Sequence, residues 1–149
     1  MQILVAKVAP EGCKVMEIKA DGNCLYRAVA QQLGHTGRRH GFTEESYTEL
    51  RALTARQLRR HPSEYLPFLG MEEGPEFEQY CKNVEASADW GGQVELQALC
   101  GGLEVPIEVI SSDKPTLLLG EGFEGPPLRV TYHEHYYALG AHYNSVVPA

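Results

Sequence analysis

This chain has little of what several function classes require. Basic residues are in deficit: 13 Lys and Arg stand against 20 Asp and Glu, giving a net charge of −7 and a pI near 5.3. Phosphate neutralisation dominates nucleic-acid affinity, so a chain this acidic is a poor nucleic-acid binder and no such partner is expected. No apolar run approaches the length needed to span a bilayer, and Met1–Ala6 is too short and lacks the basic flank of a signal peptide. Neither a membrane partner nor secretion is therefore expected. The cysteines, Cys13, Cys24, Cys81 and Cys100, are scattered and form no C-x-x-C pair, which argues against a small secreted disulfide scaffold. A reducing, cytoplasmic setting fits best. Internal repeats, linkers and low-complexity tracts are also absent, and 149 residues suit one domain, 1–149, with a real core.

What is present is concentrated at two places. At the first, Asp21-Gly22-Asn23-Cys24-Leu25-Tyr26-Arg27 puts a cysteine where a turn gives way to a helical pattern. Asp-Gly is a turn signal, Asn23 suits a helix N-cap, and Leu25, Ala28, Val29 and Leu33 recur near helical spacing, with Gly34 as a stop. Cys24 is then expected in the first helical turn. There the orphan N–H groups and the helix dipole favour an anion and lower the thiol pKa. The same N–H groups, with those of the 21–23 loop, could bind the oxyanion of a tetrahedral intermediate. An unassisted cysteine is more often an inert buried side chain, so the second place decides.

That place is His142-Tyr143-Asn144-Ser145-Val146-Val147, which reads as a strand preceded by candidate strands at Leu128–Tyr132 and Tyr136–Leu139. Residues two apart on a strand face one side, with Cα atoms about 6–7 Å apart at a rise of about 3.3 Å per residue. Asn144 can therefore accept a hydrogen bond from His142 and turn the other ring nitrogen toward a thiol, which is the logic of a Cys-His-Asn arrangement. Cysteine-dependent acyl transfer, most simply proteolysis, is the reading.

These residues resemble the ovarian-tumour (OTU) family of cysteine deubiquitinases. Asp21–Arg27 looks like its nucleophile motif, Trp90-Gly91-Gly92-Gln93-Val94-Glu95-Leu96 its central Trp-Gly-Gly motif, and Tyr132-His133 through Gly140–Val146 its histidine segment. The resemblance implies a papain-like α+β domain: a mixed central β-sheet flanked by helices, with the nucleophile at a helix N-terminus. It implies Cys24 as nucleophile, His142 as general base and then acid, Asn144 as orienting residue, and Asp21 in the loop that helps form the oxyanion hole. The implied reaction is hydrolysis of the isopeptide bond between the ubiquitin C-terminus and a lysine, by a monomer in the ubiquitin conjugation pathway that needs no cofactor or metal. Ubiquitin or polyubiquitin is the implied partner, and its arginine-bearing tail suits an acidic chain. The histidine segment is most like the branch that often carries an N-terminal helical extension. This chain starts without one, implying an isolated catalytic domain or a minimal relative.

Elsewhere, Met1–Val8 reads as an edge strand or ordered tail, and Val15–Ile18 as a strand leading to the nucleophile turn. Thr43 with Glu45 and Ser46 opens a helix whose Arg51, Arg56, Arg59 and Arg60 make a solvated basic flank. Trp90 is expected as a core anchor, with a substrate role the alternative. A helix follows it, ending at Gly101-Gly102, and Val105–Ile110 is the best strand. Three other functions compete. His133, His135 and His142 could bind a metal, although no closed ligand set is visible. A non-catalytic ubiquitin-binding module would keep the fold without the chemistry, but such modules usually lose the Cys or His that this chain retains. A hydrolase for a ubiquitin-like modifier would differ only in surface contacts.

Overall fold

The structure is a computed structural model that describes residues 1–134 and 141–149. The expected strand at 136–139 and His135 lie outside the described residues. In chain order the elements are α1 (Gln2–Val8), a 3₁₀ turn (Ala9–Glu11), β1 (Cys13–Met16), α2 (Cys24–His35), a second 3₁₀ turn (Glu44–Ser46), α3 (Tyr47–Arg60), α4 (Pro62–Leu69), α5 (Pro75–Ala86), α6 (Gln93–Leu103), β2 (Ile107–Ser111), β3 (Leu117–Leu119), β4 (Leu128–His133) and β5 (His142–Pro148). The strands form one mixed sheet in the order β1-β5-β4-β2-β3, with only β2 and β4 parallel. Helices flank this sheet, which is the α+β architecture that the sequence implies.

The α2 helix packs on one sheet face. Its Leu25, Val29 and Leu33 meet Leu96 and Leu99 of α6 and Ile107, Val109, Leu128 and Val130 of the strands. Each such side chain, removed from water, contributes about 1.5–3 kcal/mol. A polar staple sets the register between α2 and the sheet. Gln32 Nε2 donates to Ser145 Oγ (2.7 Å) and to the Val146 carbonyl (2.6 Å), while the Arg129 N–H donates to Gln32 Oε1 (2.8 Å). Ser145 Oγ donates to Gln31 Oε1. A second cluster, with Leu58, Phe77, Cys81, Val84 and Ala98, joins α3, α5 and α6.

The opposite face of the sheet is covered by α1, through Leu4 and Val8 on Ile110 and Val146. The first eight residues are thus a helix and not an edge strand. Short apolar runs are ambiguous by periodicity alone, and here the i, i+4 pair Leu4/Val8 meets a sheet face that needed cover. Two further expectations change. Gly34 does not stop α2, which continues through His35. Trp90 is not a core anchor: it is 47% exposed. The close packing there is made by Gly91, where an added Cβ would lie 3.2–3.3 Å from Tyr26 Oη and Leu25 Cδ1.

Candidate active site

The site forms where β1 gives out. β1 pairs with β5 only as far as Met16 opposite Ser145, so the chain leaves the sheet edge before reaching Tyr143. Two things occupy the space it vacates. The backbone of Ile18 turns in to meet Asn144, its N–H donating to Oδ1 at 2.7 Å. Beside it the N-terminus of α2 brings in Cys24, which packs in one buried cluster with Tyr143. Cys24 and His142, 118 positions apart in the sequence, are linked through Tyr143, which shares that cluster with Cys24 and is peptide-bonded to His142.

The nucleophile loop is held by two buried arginines. Arg27, on α2, donates from Nη2 to Asp21 Oδ2 (3.0 Å) and from Nη1 to Glu45 Oε1 (3.1 Å), and lies 4.3 Å above the Tyr47 ring. Arg51, on α3, donates from Nε to Asn23 Oδ1 (2.7 Å), from Nη2 to the Gly22 (3.0 Å) and Asp89 (2.7 Å) carbonyls, and from Nη1 to the Val84 carbonyl (2.9 Å). Its guanidinium also stacks 4.4 Å from the Tyr26 ring centroid. Arg51 is 2% exposed, so it is no part of the solvated flank expected of it. Asn23 occupies the N-cap position but makes no side-chain cap bond, because Arg51 takes its side-chain oxygen. Gly22 is required by crowding: an added Cβ would sit 1.7 Å from the Ala88 carbonyl oxygen.

Asp21 organises this loop. Its Oδ1 accepts the Asn23 N–H (2.9 Å) and its backbone carbonyl accepts the Cys24 N–H (3.2 Å). Burial raises its carboxyl, but the Arg27 hydrogen bond, the Asn23 N–H and the Arg27 and Lys19 charges more than offset that and keep it below the usual carboxylate range. Two N–H groups expected to serve the oxyanion are thus engaged in the resting loop. The thiol departs from expectation as well. Burial pushes Cys24 up, and the Asp21 charge adds to this, against hydrogen bonds from the Tyr143 and Leu25 backbones. Desolvation outweighs the helix-terminus effect, so the resting group is a thiol that needs a base.

The base is oriented by neutral groups. His142 and Asn144 are both fully buried, and His142 Nε2 lies 2.8 Å from Asn144 Oδ1. A backbone N–H can only donate, so the Ile18 bond identifies the amide atom facing it as oxygen. An amide oxygen can only accept, so the proton of neutral His142 is on Nε2 and the basic lone pair is on Nδ1. Burial lowers the His142 pKa below the ordinary imidazole value, opposed by the Asn144 bond, the Ile18 backbone and the Glu17 and Asp21 charges. The ring is therefore neutral and basic at pH 7. His133, opposite His142 in the β4–β5 register with ring centroids 6.2 Å apart, joins the same cluster. Among the described residues, no group of three or more His, Cys, Asp or Glu is placed to hold a metal. Nor is any described helix long and apolar enough to cross a membrane.

Beside the site lies a cleft of about 540 Å³. Tyr132 and Tyr143, with ring centroids 5.0 Å apart, line it together with Gly91, Gly92, Leu96 and Leu117. Cys24 and His142 do not line it, but Tyr143 ties it to both.

The OTU-like cysteine protease family profile matches residues 19–143. Deubiquitinase OTUD6B of Gallus gallus is 39% identical over 138 aligned positions, covering 89% of this chain and 44% of that protein. The OTUD6B of Homo sapiens is 37% identical over 151 positions, covering 97% and 48%. Ubiquitin thioesterase otu2 of Schizosaccharomyces pombe is 34% identical, covering 91% and 46%. The chain spans about half the length of these curated relatives. Among solved structures, the OTU domain of OTUD1 matches with a TM-score of 0.75 at 22% identity, covering 98% of this chain and 93% of that one. An OTU domain in complex with ubiquitin matches at 0.68 and 18%, covering 91% and 69%. At these identities the two structures show a shared fold.

Proposed function

Because this chain belongs to the OTU-like cysteine protease family, we propose that it is a deubiquitinase that hydrolyses isopeptide bonds at the ubiquitin C-terminus, with Cys24 as nucleophile, His142 as base and acid, Asn144 as orienting residue and Asp21 as organiser of the nucleophile loop. The observation that carries this reading is the His142 tautomer. The Ile18 N–H and Asn144 leave the basic lone pair on Nδ1, in a ring one peptide away from Tyr143, which packs with Cys24. The deubiquitinase names of the OTUD6B relatives and the ubiquitin-bound neighbour of the same fold support the substrate. A cytoplasmic monomer that uses no cofactor completes the proposal.

In the proposed cycle His142 Nδ1 takes the Cys24 proton as sulfur attacks the terminal glycine carbonyl. The developing oxyanion draws the Cys24 N–H away from the Asp21 carbonyl, a 3.2 Å bond that is long and cheaply given up. The imidazolium then protonates the leaving lysine amine as the C–N bond breaks, forming a thioester. Water, deprotonated by His142, attacks the thioester, and the thiol leaves with its proton restored. Asn144 carries no charge, so it holds the imidazolium in place without the Coulombic help a carboxylate would give. The Tyr132/Tyr143 cleft is the proposed path for one of the two chains flanking the scissile bond.

The test is cleavage of isopeptide-linked diubiquitins by wild type and Cys24→Ala. Wild type should release monoubiquitin, while Cys24→Ala should bind without cleaving. Turnover by folded Cys24→Ala, or none by folded wild type across the linkages, contradicts the proposal.

A further inference from the structure

The sidedness of Asn144 matters more than its presence. Rotated by half a turn about its terminal torsion, the amide would present NH₂ to His142 and force that ring to accept at Nε2. The neutral ring would then carry its proton on Nδ1 and lose the basic lone pair that the proposed mechanism uses. Something must therefore stop the amide from turning. The Ile18 N–H is one stop, at 2.7 Å from Oδ1. On the other side, Asn144 Nδ2 lies 3.2 Å from His133 Nε2. Because Nδ2 can only donate, His133 Nε2 accepts and that ring carries its proton on Nδ1. Thr131 Oγ1, 2.9 Å from the same nitrogen, is placed to donate to it as well. All four side chains point from one face of the β4–β5 pair: Thr131 is opposite Asn144, and His133 opposite His142. Thr131 and Asn144 are fully buried, and His133 is 6% exposed, so water does not substitute for these partners.

From this geometry we infer that His133 is a positioning residue: its Nε2 accepts the Asn144 amide, holds Oδ1 toward His142, and so fixes His142 in the Nε2–H tautomer that catalysis needs. This rests on the proposed chemistry of His142, not on contact between His133 and substrate. The ring suits the role because it stays an acceptor. Burial, the facing His142 and the N-terminal ammonium hold its pKa at about 4, so no second proton arrives on Nε2 near neutral pH. His142 and His133 thus flank one amide, one ring that exchanges protons and one that does not.

The experiment compares His133→Leu, which deletes the acceptor, with His133→Gln, whose side-chain oxygen can replace it. Each is made with Asn144 intact and with Asn144→Asp, where either rotation presents an oxygen to His142. Two readouts are taken: ¹⁵N NMR of the His142 ring in the substrate-free protein, and kcat and KM on a ubiquitin C-terminal fluorogenic amide. His133→Leu should mix the two His142 tautomers and lower kcat about tenfold, the size of one hydrogen bond, with KM unchanged. His133→Gln should restore both, and in the Asn144→Asp background His133→Leu should cost less than about twofold. A folded His133→Leu protein with the wild-type tautomer and kcat, or an equal loss in both backgrounds, overturns the inference. If wild type cleaves no ubiquitin substrate, the function reading fails, and the tautomer measurement still decides this one.

Discussion

The two halves of the site are held by opposite kinds of force. The nucleophile loop is pinned by charge: Arg27 on Asp21 and Glu45, and Arg51 on two loop acceptors and two carbonyls beyond the loop. Among the described residues, the histidine strand is held by hydrogen bonds to neutral groups: a backbone N–H, an amide, a second imidazole and a hydroxyl. The difference follows from what each half must do. The loop has to hold a close backbone approach to Ala88 and leave a backbone N–H releasable, and guanidinium groups with fixed forks grip several acceptors at once. The strand has to keep a proton on one chosen ring nitrogen, and a carboxylate hydrogen-bonded to it would bias the ring further toward the imidazolium than the Glu17 and Asp21 charges do. The loop should therefore break by truncation, and the strand by protonation.

The largest effect expected is at Arg51. Arg51→Met keeps much of the packing on Tyr26 but strips hydrogen bonds from three buried acceptors and from the Asp89 carbonyl. It should lower unfolding stability by about 4 kcal/mol, read from urea denaturation. Near-wild-type stability would show the loop to be self-supporting. Next in size is an acid transition belonging to the strand. His133 has a folded pKa of about 4 against about 6.5 when unfolded, so the unfolded chain takes up its proton first as pH falls. Stability from this group is complete above about pH 6.5 and is lost progressively toward pH 4, by about 3 kcal/mol. His142 acts in the same direction. Denaturation curves at stepped pH should show this slope in wild type and a smaller one in His133→Gln; parallel slopes would remove His133 as its source.

Asn144→Ala should leave a weaker enzyme, with kcat down roughly tenfold and KM little changed, because His142 keeps its place but loses its orienting acceptor. An unchanged rate would shift that role to the Ile18 backbone. Smallest is Asp21→Asn. The side chain is 28% exposed, so loss of the ion pair with Arg27 should cost less than about 1 kcal/mol. Oδ1 still accepts the Asn23 N–H, so denaturation should shift only slightly and kcat by a few-fold at most. A collapse of either would mean that the Arg27–Asp21 pair, and not Arg51, is the main hold on the loop.

The sequence exposes one kind of information and hides another. Cys24 at a helix start and the pairing of His142 with Asn144 follow from local rules, a turn signal and a period of two, and the structure places these residues as those rules require. Arg51 gave no local signal. It stands on a helix with three other arginines, and only the tertiary contact of α3 with the loop and α5 sets it apart. His133 looked like a possible metal ligand, because chemistry-bearing residues suggest ligands until their neighbours are known. The N-terminal helix and the exposed Trp90 were misread for the same reason: a short apolar run and a large aromatic acquire a fate only from the surface that faces them. The thiol pKa was misjudged because a helix terminus is visible in sequence and desolvation is not.

The most direct test of the account is covalent capture. Purified protein would be mixed, under reducing conditions, with ubiquitin bearing a C-terminal thiol-reactive group and followed by intact mass. The account predicts a single ubiquitin adduct on wild type and none on Cys24→Ala. An adduct that persists on Cys24→Ala, or a folded wild-type protein that forms none, would contradict it.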